Sequence, residues 1–374
     1  MHLNPFRIEQ YYAKYEFTAR YMLSSSDAES RSLRDLLALE DGAQERLLDT
    51  WLGYTESPGA SWLREEIAHI YEHVTAEDVL VCSSAEEGIF VLYHALLGPG
   101  DHVVVETPCF ESGLELARST GAQVSEWRRR PEDGWAHDLA ALKTLIQPNT
   151  KVLYITTPHN PTGLLMERAV FDEVMTLARG HGLTVLCDEV YRELEHDPAA
   201  RLPAACDAYE HAVSLGSMSK TYGLAGLRLG WHATRDREVL RRCLEFKLYT
   251  TICNSAPSEF LTALALRHRE QIVARNLDIV RANLPLLDAF FARQGQLFSW
   301  TRPNAASLGF ARFMGQEDPL SFCGRVVQDT GVLLLPGTVY DVPDHVRFGF
   351  GRANLPEALG HLEAYLNASS GQQG

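Results

Sequence analysis

The run at residues 214–231, SLGSMSKTYGLAGLRLGW, holds three serines, one lysine, four glycines and one arginine, and ends in Gly-Trp. A surface loop would carry more charge and a core helix fewer glycines. A lysine set among small residues is suited to nucleophilic chemistry: burial lowers its pKa, and the neutral amine attacks a carbonyl carbon to form an imine. Arg228, eight positions after Lys220, offers a planar fork matched to phosphate oxygens, and Ser217 and Ser219 add hydroxyls. Four other clusters follow short apolar runs. Ser83, Ser84, Ala85 and Glu86 follow VLVC, and Thr107, Pro108, Cys109 and Phe110 follow VVVE. His159, Asn160, Pro161, Thr162 and Gly163 follow LYITTP, and Asp188, Glu189, Val190 and Tyr191 follow VLC. Small residues opening a helix leave backbone N–H groups free to grip an anion. The other clusters offer an aromatic face, an amide, and a carboxylate with a phenol.

These clusters need elements that bring them to one place. VLVCS, HVVVETP, AQVSEWRR, KVLYITTP, TVLCDEVY and AVSLGS read as strands. Between them, ASWLREEIAHIYEHV, AEEGIFVLYHALLG, FESGLELARST, LAALKTLIQ and RAVFDEVMTLARGHG read as helices. Apolar strands alternating with helices predict a mostly parallel sheet covered on both faces. Ligands of such sheets bind at the carboxyl ends of the strands, where every cluster named above lies. After about residue 235 the pattern changes. A long helical stretch containing Pro285 is followed by LGFARF, the helix DPLSFCGRVVQDTG, VLLLPG, HVRFGFG and a terminal helix LPEALGHLEAYLNA, which predicts a smaller α+β unit. Residues 1–45 read as irregular apart from a helix near SLRDLLALE, and no repeat or low-complexity linker interrupts the chain.

Composition narrows the class. The 374 residues are 45% hydrophobic and 22% charged, ordinary values for a folded globular chain. The formal net charge of -15 repels nucleic acid and anionic membrane surfaces, favouring a small-molecule enzyme. No segment reaches the ~20 apolar residues of a spanning helix. Seven scattered cysteines without a C-x-x-C pair predict reduced thiols in a cytoplasmic compartment and no zinc site.

A ligand that uses all five clusters carries a phosphate, a flat ring, a ring nitrogen that prefers a carboxylate partner, and an electrophile for the lysine. Pyridoxal 5'-phosphate (PLP) has all four. On these motifs the chain resembles the fold type I PLP-dependent enzymes of the class I/II aminotransferase family, from Tyr54 to Arg347 and in the family's order; SMSKTYGLAGLRLGW is similar to its S-x-x-K…R signature. The resemblance implies a large PLP-binding domain at 46–275 with a mostly parallel seven-stranded sheet. It assigns 1–45 and 276–374 to a small α+β domain. It implies that Lys220 forms the Schiff base, that Asp188 pairs with the pyridine nitrogen, and that Tyr191 and Asn160 donate to the ring's phenolate oxygen. Ser217, Ser219 and Arg228 correspond to the phosphate cup, with the backbone of Ser84, Ala85 and Glu86; the Glu86 carboxylate is expected to turn away. Phe110 corresponds to the aromatic residue stacked on the ring. YTESPGASWLREEIA resembles a segment whose tyrosine, here Tyr54, reaches the phosphate of a neighbouring subunit, implying a homodimer with shared active sites. Thr250 or Thr251 is the corresponding candidate for a second crossing hydroxyl. Arg347 corresponds to the arginine that binds the substrate's α-carboxylate, and Arg352 reads as a surface residue.

The commonest reaction on this scaffold is ping-pong transfer of an amino group between an L-amino acid and a 2-oxo acid, and that is the activity implied here. YMLSSSDAESRSLRDLL and HVRFGFGR are also similar to capreomycidine synthase-like enzymes, which cyclise a hydroxylated arginine. Ser24, Ser25 and Ser26 stand where the family usually has a glycine-containing loop at the substrate, with Ser25 the candidate contact. A C–S β-lyase is a third possibility, because PHNPTG occurs among lyases too. A PLP-binding transcription regulator is disfavoured by the charge.

Overall fold

The computed structural model describes residues 2–370; residues 1 and 371–374 of the expected small domain lie outside that range, as do the side chains of 369 and 370. Seven strands form one sheet: β1 (Val79–Cys82), β2 (His102–Thr107), β3 (Gln123–Arg128), β4 (Thr150–Thr156), β5 (Thr184–Asp188), β6 (Ala212–Ser217) and β7 (Gly230–Ala233). Their order is β1-β7-β6-β5-β4-β2-β3. Neighbours from β3 to β6 pair in parallel, whereas β7 runs antiparallel to both β6 and β1. Alternation of side chains splits the sheet between two cores. Val103, Val105, Val152 and Tyr154 pack under the helices Ala85–Leu96 and Arg237–Lys247. Val104, Leu153, Ile155 and Val185 pack under Arg168–His181 on the other face.

β7 is the strand that apolar runs do not reveal. Its sequence, GWHA, begins with a glycine because the chain passes close to the start of the helix Ala85–Leu96. A Cβ on Gly230 would lie 2.6 Å from the Ala85 nitrogen and 2.7 Å from the Ser84 carbonyl carbon.

A second, antiparallel sheet has the order β10-β11-β9-β8, with β8 (Phe298–Ser299), β9 (Leu308–Phe313), β10 (Leu335–Pro336) and β11 (His345–Gly349). The long helical stretch resolves into Ala256–Arg267 and Arg269–Arg293. The second helix is continuous and carries Pro285 inside it. Its residues up to Leu277 pack with the large-sheet core, and from Val280 onward with the small-sheet core.

The N-terminal stretch is more ordered than expected. Arg7–Tyr15 is a helix that buries Ile8 and Tyr11 against the small-sheet core. Leu36 and Ala43 instead pack with the large-sheet core. Between them, residues 21–28 cross the molecule. Tyr21 bridges to Val332, Leu23 O accepts from Gly349 N at 2.8 Å, and Ala28 N donates to Lys220 O at 3.1 Å. This crossing lays the three serines over the ends of the large-sheet strands.

Candidate active site

A cavity of about 500 Å³ opens where the carboxyl ends of β1, β4, β5 and β6 meet the N-terminal segment. Ser25, Ser84, Ala85, Glu86, Phe110 and Asn160 line it, and so do Asp188, Tyr191, Ser217, Ser219, Lys220 and Arg228. Residues far apart in sequence are gathered here because each follows a strand end or its turn.

Lys220 projects from the turn after β6, and its Nζ donates to Ser26 Oγ at 2.9 Å. Burial lowers the pKa of this amine, against the opposing pull of Asp27. Asp188 ends β5. Its Oδ2 accepts from Tyr154 OH at 3.2 Å and its Oδ1 from Val190 N at 3.2 Å. Burial raises its carboxyl to about 6, with the Val190 N–H, Tyr154 and Lys220 all opposing. Among the described residues the buried Tyr191 hydroxyl has no hydrogen bond of good geometry, and Ser26 is the side chain that acts on it. Asn160 Oδ1 accepts from Tyr340 OH at 3.0 Å and from Arg347 Nη1 at 3.3 Å, which leaves its Nδ2 as the group free to donate into the cavity.

The turns that carry these groups are tied to one another. His159 Nε2 donates to Pro108 O at 2.8 Å while its Nδ1 meets Thr162 Oγ1 at 2.8 Å, joining the turn of Phe110 to that of Asn160. Burial holds this imidazole neutral, with a pKa of about 3. Below them Glu106, fully buried, accepts from Thr156 N and His137 Nε2, both at 2.8 Å.

At the other end of the cavity, Ser84 takes a positive φ of 108° and the helix Ala85–Leu96 begins without a side-chain cap. Its first N–H groups are therefore open to an anion. Ser217 Oγ lies 3.0 Å from Ser219 Oγ. Arg228, also at positive φ, commits only Nη1 to Ala225 O, at 3.1 Å. Glu86 turns its carboxylate to Ser112 Oγ at 2.6 Å, and burial raises its pKa. The N-terminal helix supplies Phe6, whose ring centroid is 5.3 Å from that of Phe110.

Tyr54, expected to reach a neighbouring subunit, is 82% exposed, on the outer surface with Trp51 and Leu52. Thr250 and Thr251 both donate to Glu87 Oε1, at 2.6 and 2.8 Å, within the same chain. Arg347 is 2% exposed and closed in by its own chain. Its Nη2 donates to Tyr12 OH at 2.6 Å and to Ser24 O at 2.8 Å, and its Nη1 also meets Tyr340 OH. A carboxylate reaching Arg347 would have to displace one of its present partners, Tyr12, Ser24, Tyr340 or Asn160. Arg352, expected at the surface, lines the cavity instead and pairs with Asp27 at 2.9 Å. It is drawn in because Gly351 packs on the N-terminal crossing, where an added Cβ would meet Asp27 O at 2.4 Å. Ser25 spends its hydroxyl on Asp27 Oδ1 at 2.6 Å.

Sequence reasoning missed the contribution of the N-terminal helix. Glu9, Tyr12 and Glu16 line the cavity. Their spacing of three and four residues puts them on one helical face, a signal present in the sequence but hidden by reading this stretch as irregular. The described residues give Glu9 and Glu16 no carboxylate partner. Burial, and the nearby charges of Glu9 and Asp27, raise the Glu16 carboxyl.

The site's chemistry matches a phosphorylated pyridine. The Tyr191 phenol and the Asn160 amide face the cavity beside a buried carboxylate, and an anion cradle of Ser84, Ala85, Ser217, Ser219 and Arg228 lies at one end. The family model for aminotransferase class I and II matches residues 27–362. The chain belongs to the class I/II aminotransferase family. It is 28% identical over 364 residues to capreomycidine synthase of Streptomyces vinaceus, covering 96% of this chain and 93% of that one. A PLP-dependent aminotransferase from Streptococcus suis superposes with a TM-score of 0.93 at 30% identity, covering 98% of this chain and 99% of that one. The PLP-dependent cyclase OrfR gives 0.90 at 25% identity, covering 99% and 98%. The protein is thus a PLP-dependent enzyme of the aminotransferase fold acting on small molecules. Among the described residues no helix is long and apolar enough to cross a membrane.

Proposed function

We propose that the protein transforms an L-amino acid with a positively charged side chain at its α-carbon, with transfer of the amino group to a 2-oxo acid as the principal reaction. One observation carries this reading: Lys220, Asp188 and Tyr191 share a cavity that Glu9, Glu16 and Asp27 also line, Asp27 being paired there with Arg352. With Asp27 neutralised by Arg352, Glu9 and Glu16 would repel a side-chain carboxylate and attract a guanidinium or ammonium group.

PLP, when bound, supplies an aldehyde that joins an amino group and a ring that draws electrons from the α-carbon. In this reading Lys220 would hold the cofactor, and its free amine would carry the α-proton. Asp188 keeps the pyridine nitrogen protonated, and Tyr191 and Asn160 donate to the ring oxygen. Phe110 covers the ring's face. Ser217, Ser219, Arg228 and the backbone N–H groups from Ser84 to Glu86 hold the phosphate. Arg347 orients the α-carboxylate, which fixes the α-C–H bond relative to the ring. Leu48, Trp51, Leu52, Tyr54 and Tyr249 are each more than three-quarters exposed. That surface supports a homodimer in which Tyr54 reaches the partner's phosphate site. All seven cysteines are unpaired, which supports a reducing, cytoplasmic setting. The domain division at 46–275 belongs to the same proposal.

A second reading, cyclisation of a basic amino acid, is supported by the similarity to capreomycidine synthase along nearly the whole chain. The deciding experiment mixes PLP-loaded protein with arginine, lysine, ornithine, aspartate and alanine, follows the cofactor's visible absorbance, and analyses products. Spectral change with basic amino acids and a 2-oxo acid product is expected. A cyclic product without 2-oxo acid selects the second reading, and a preference for aspartate overturns the substrate assignment.

A further inference from the structure

The N-terminal crossing is built more tightly than a substrate-contacting loop requires. Gly349 lies so close beneath it that an added Cβ would sit 1.8 Å from Ser25 O. Gly223, at a φ of +66°, would meet Glu29 O at 2.6 Å. Ser307 Oγ donates to Ser26 O at 2.9 Å, and Lys220 O accepts from Ala28 N at 3.1 Å. These contacts fix Ser26, 8% exposed, at a set position on the same backbone network as Lys220. Its hydroxyl is the acceptor, at 2.9 Å, that the described residues give the Lys220 amine. Asp27, the nearest alternative in sequence, is engaged by Ser25 Oγ and Arg352.

We propose that Ser26 is a positioning residue: its hydroxyl holds and orients the Lys220 amine whenever that amine is not bonded to the cofactor. This rests on the reading of Lys220 as carrier of the α-proton. In that step the C–H bond at the α-carbon breaks, its electron pair stays with the substrate and cofactor, and the neutral Nζ takes the proton to become an ammonium. Ser26 Oγ accepts one N–H of that ammonium, and no bond to Ser26 forms or breaks. An amine freed from a cofactor has lost its tether and otherwise samples several rotamers, and a fixed acceptor restricts it to one that points into the cavity. The acceptor also favours the charged form of the amine. Other groups that face or charge this amine are Asp27, Glu9 and Glu16 from the N-terminal segment, Asp188 from β5, Tyr191 from the turn after it and Arg347 from β11.

The test compares wild type, Ser26→Ala, Ser26→Thr and Lys220→Ala. Two quantities are measured across pH: solvent deuterium exchange into the α-position of a bound basic amino acid, and the rate at which cofactor-free protein forms its imine with added PLP. Exchange reports α-proton transfer whether the final product is an oxo acid or a ring. Ser26→Ala is expected to slow exchange by about three- to tenfold, the loss of one hydrogen bond. It should move the acid limb of both profiles to lower pH, because the amine loses an acceptor that favours its protonated form. Ser26→Thr should restore both, and PLP affinity should stay near wild type. Unchanged rates and limbs in Ser26→Ala would overturn the proposal while leaving Lys220 in its role. Wild-type exchange that persists in Lys220→Ala would overturn the reading of Lys220 itself, and the role of Ser26 with it.

Discussion

Asp188→Asn offers a perturbation whose magnitude follows from the structure. In the cofactor-free protein, burial raises this carboxyl from the ordinary 3.8 to about 6. A folded-state value above the unfolded one means that the folded protein holds the proton more tightly. The ionised carboxylate therefore costs stability, and the cost grows as pH rises from about 4 to 6 and is constant above. A shift of about two units amounts to about 3 kcal/mol at neutral pH. Asparagine carries no charge to desolvate, but it must rearrange the bonds from Tyr154 and Val190, a cost of about 1 kcal/mol. The cofactor-free variant should thus be more stable than wild type by about 2 kcal/mol at pH 8, and its advantage should shrink by about 1 kcal/mol at pH 5. Urea unfolding of both proteins without PLP at the two pH values reads these quantities. With PLP bound the order should reverse, because a protonated pyridine nitrogen repays the buried carboxylate. A difference that does not change with pH, or a variant less stable throughout, would refute the claim that Asp188 is a buried carboxylate awaiting a cationic partner.

Two further outcomes follow from the acidic wall and the exposed apolar surface. Glu9→Gln with Glu16→Gln should raise KM for a basic amino acid by about tenfold, with little change for alanine or in PLP affinity; steady-state kinetics with both substrates checks this. Trp51→Glu should convert a dimer into monomers that bind PLP more weakly, as read by sedimentation and by the cofactor's absorbance.

The six apolar strands and their helices were legible because parallel strands covered on both faces are continuous runs such as VVVE and VLYIT. β7 was not, because its residues answer to close packing against Ser84 and Ala85, a tertiary demand with no periodic signature. The cofactor end of the cavity was legible for a related reason. Each of its residues follows a strand end, so the topology gathers them without any knowledge of side-chain contacts. The substrate end was not. Glu9 and Tyr12 sit on a helix of nine residues among charged and aromatic neighbours, with Glu16 at its C-cap, and only its docking against the small-sheet core shows which side borders the cavity. The choice among Ser24, Ser25 and Ser26 turned on backbone packing at Gly349 and Gly351. Arg352 was misjudged because its partner, Asp27, is 325 residues away.

The central claim is that Lys220 is the residue joined to PLP within the acid-walled cavity. The chain has five lysines; Lys220 is half-buried, and Lys247 is fully buried, with its Nζ on Ser57 O at 3.0 Å. Borohydride reduction of the PLP-loaded protein, followed by proteolysis and mass spectrometry, locates the adduct directly. The modification is expected on the peptide containing Lys220 and nowhere else. An adduct on Lys247, or none on Lys220, would contradict the account.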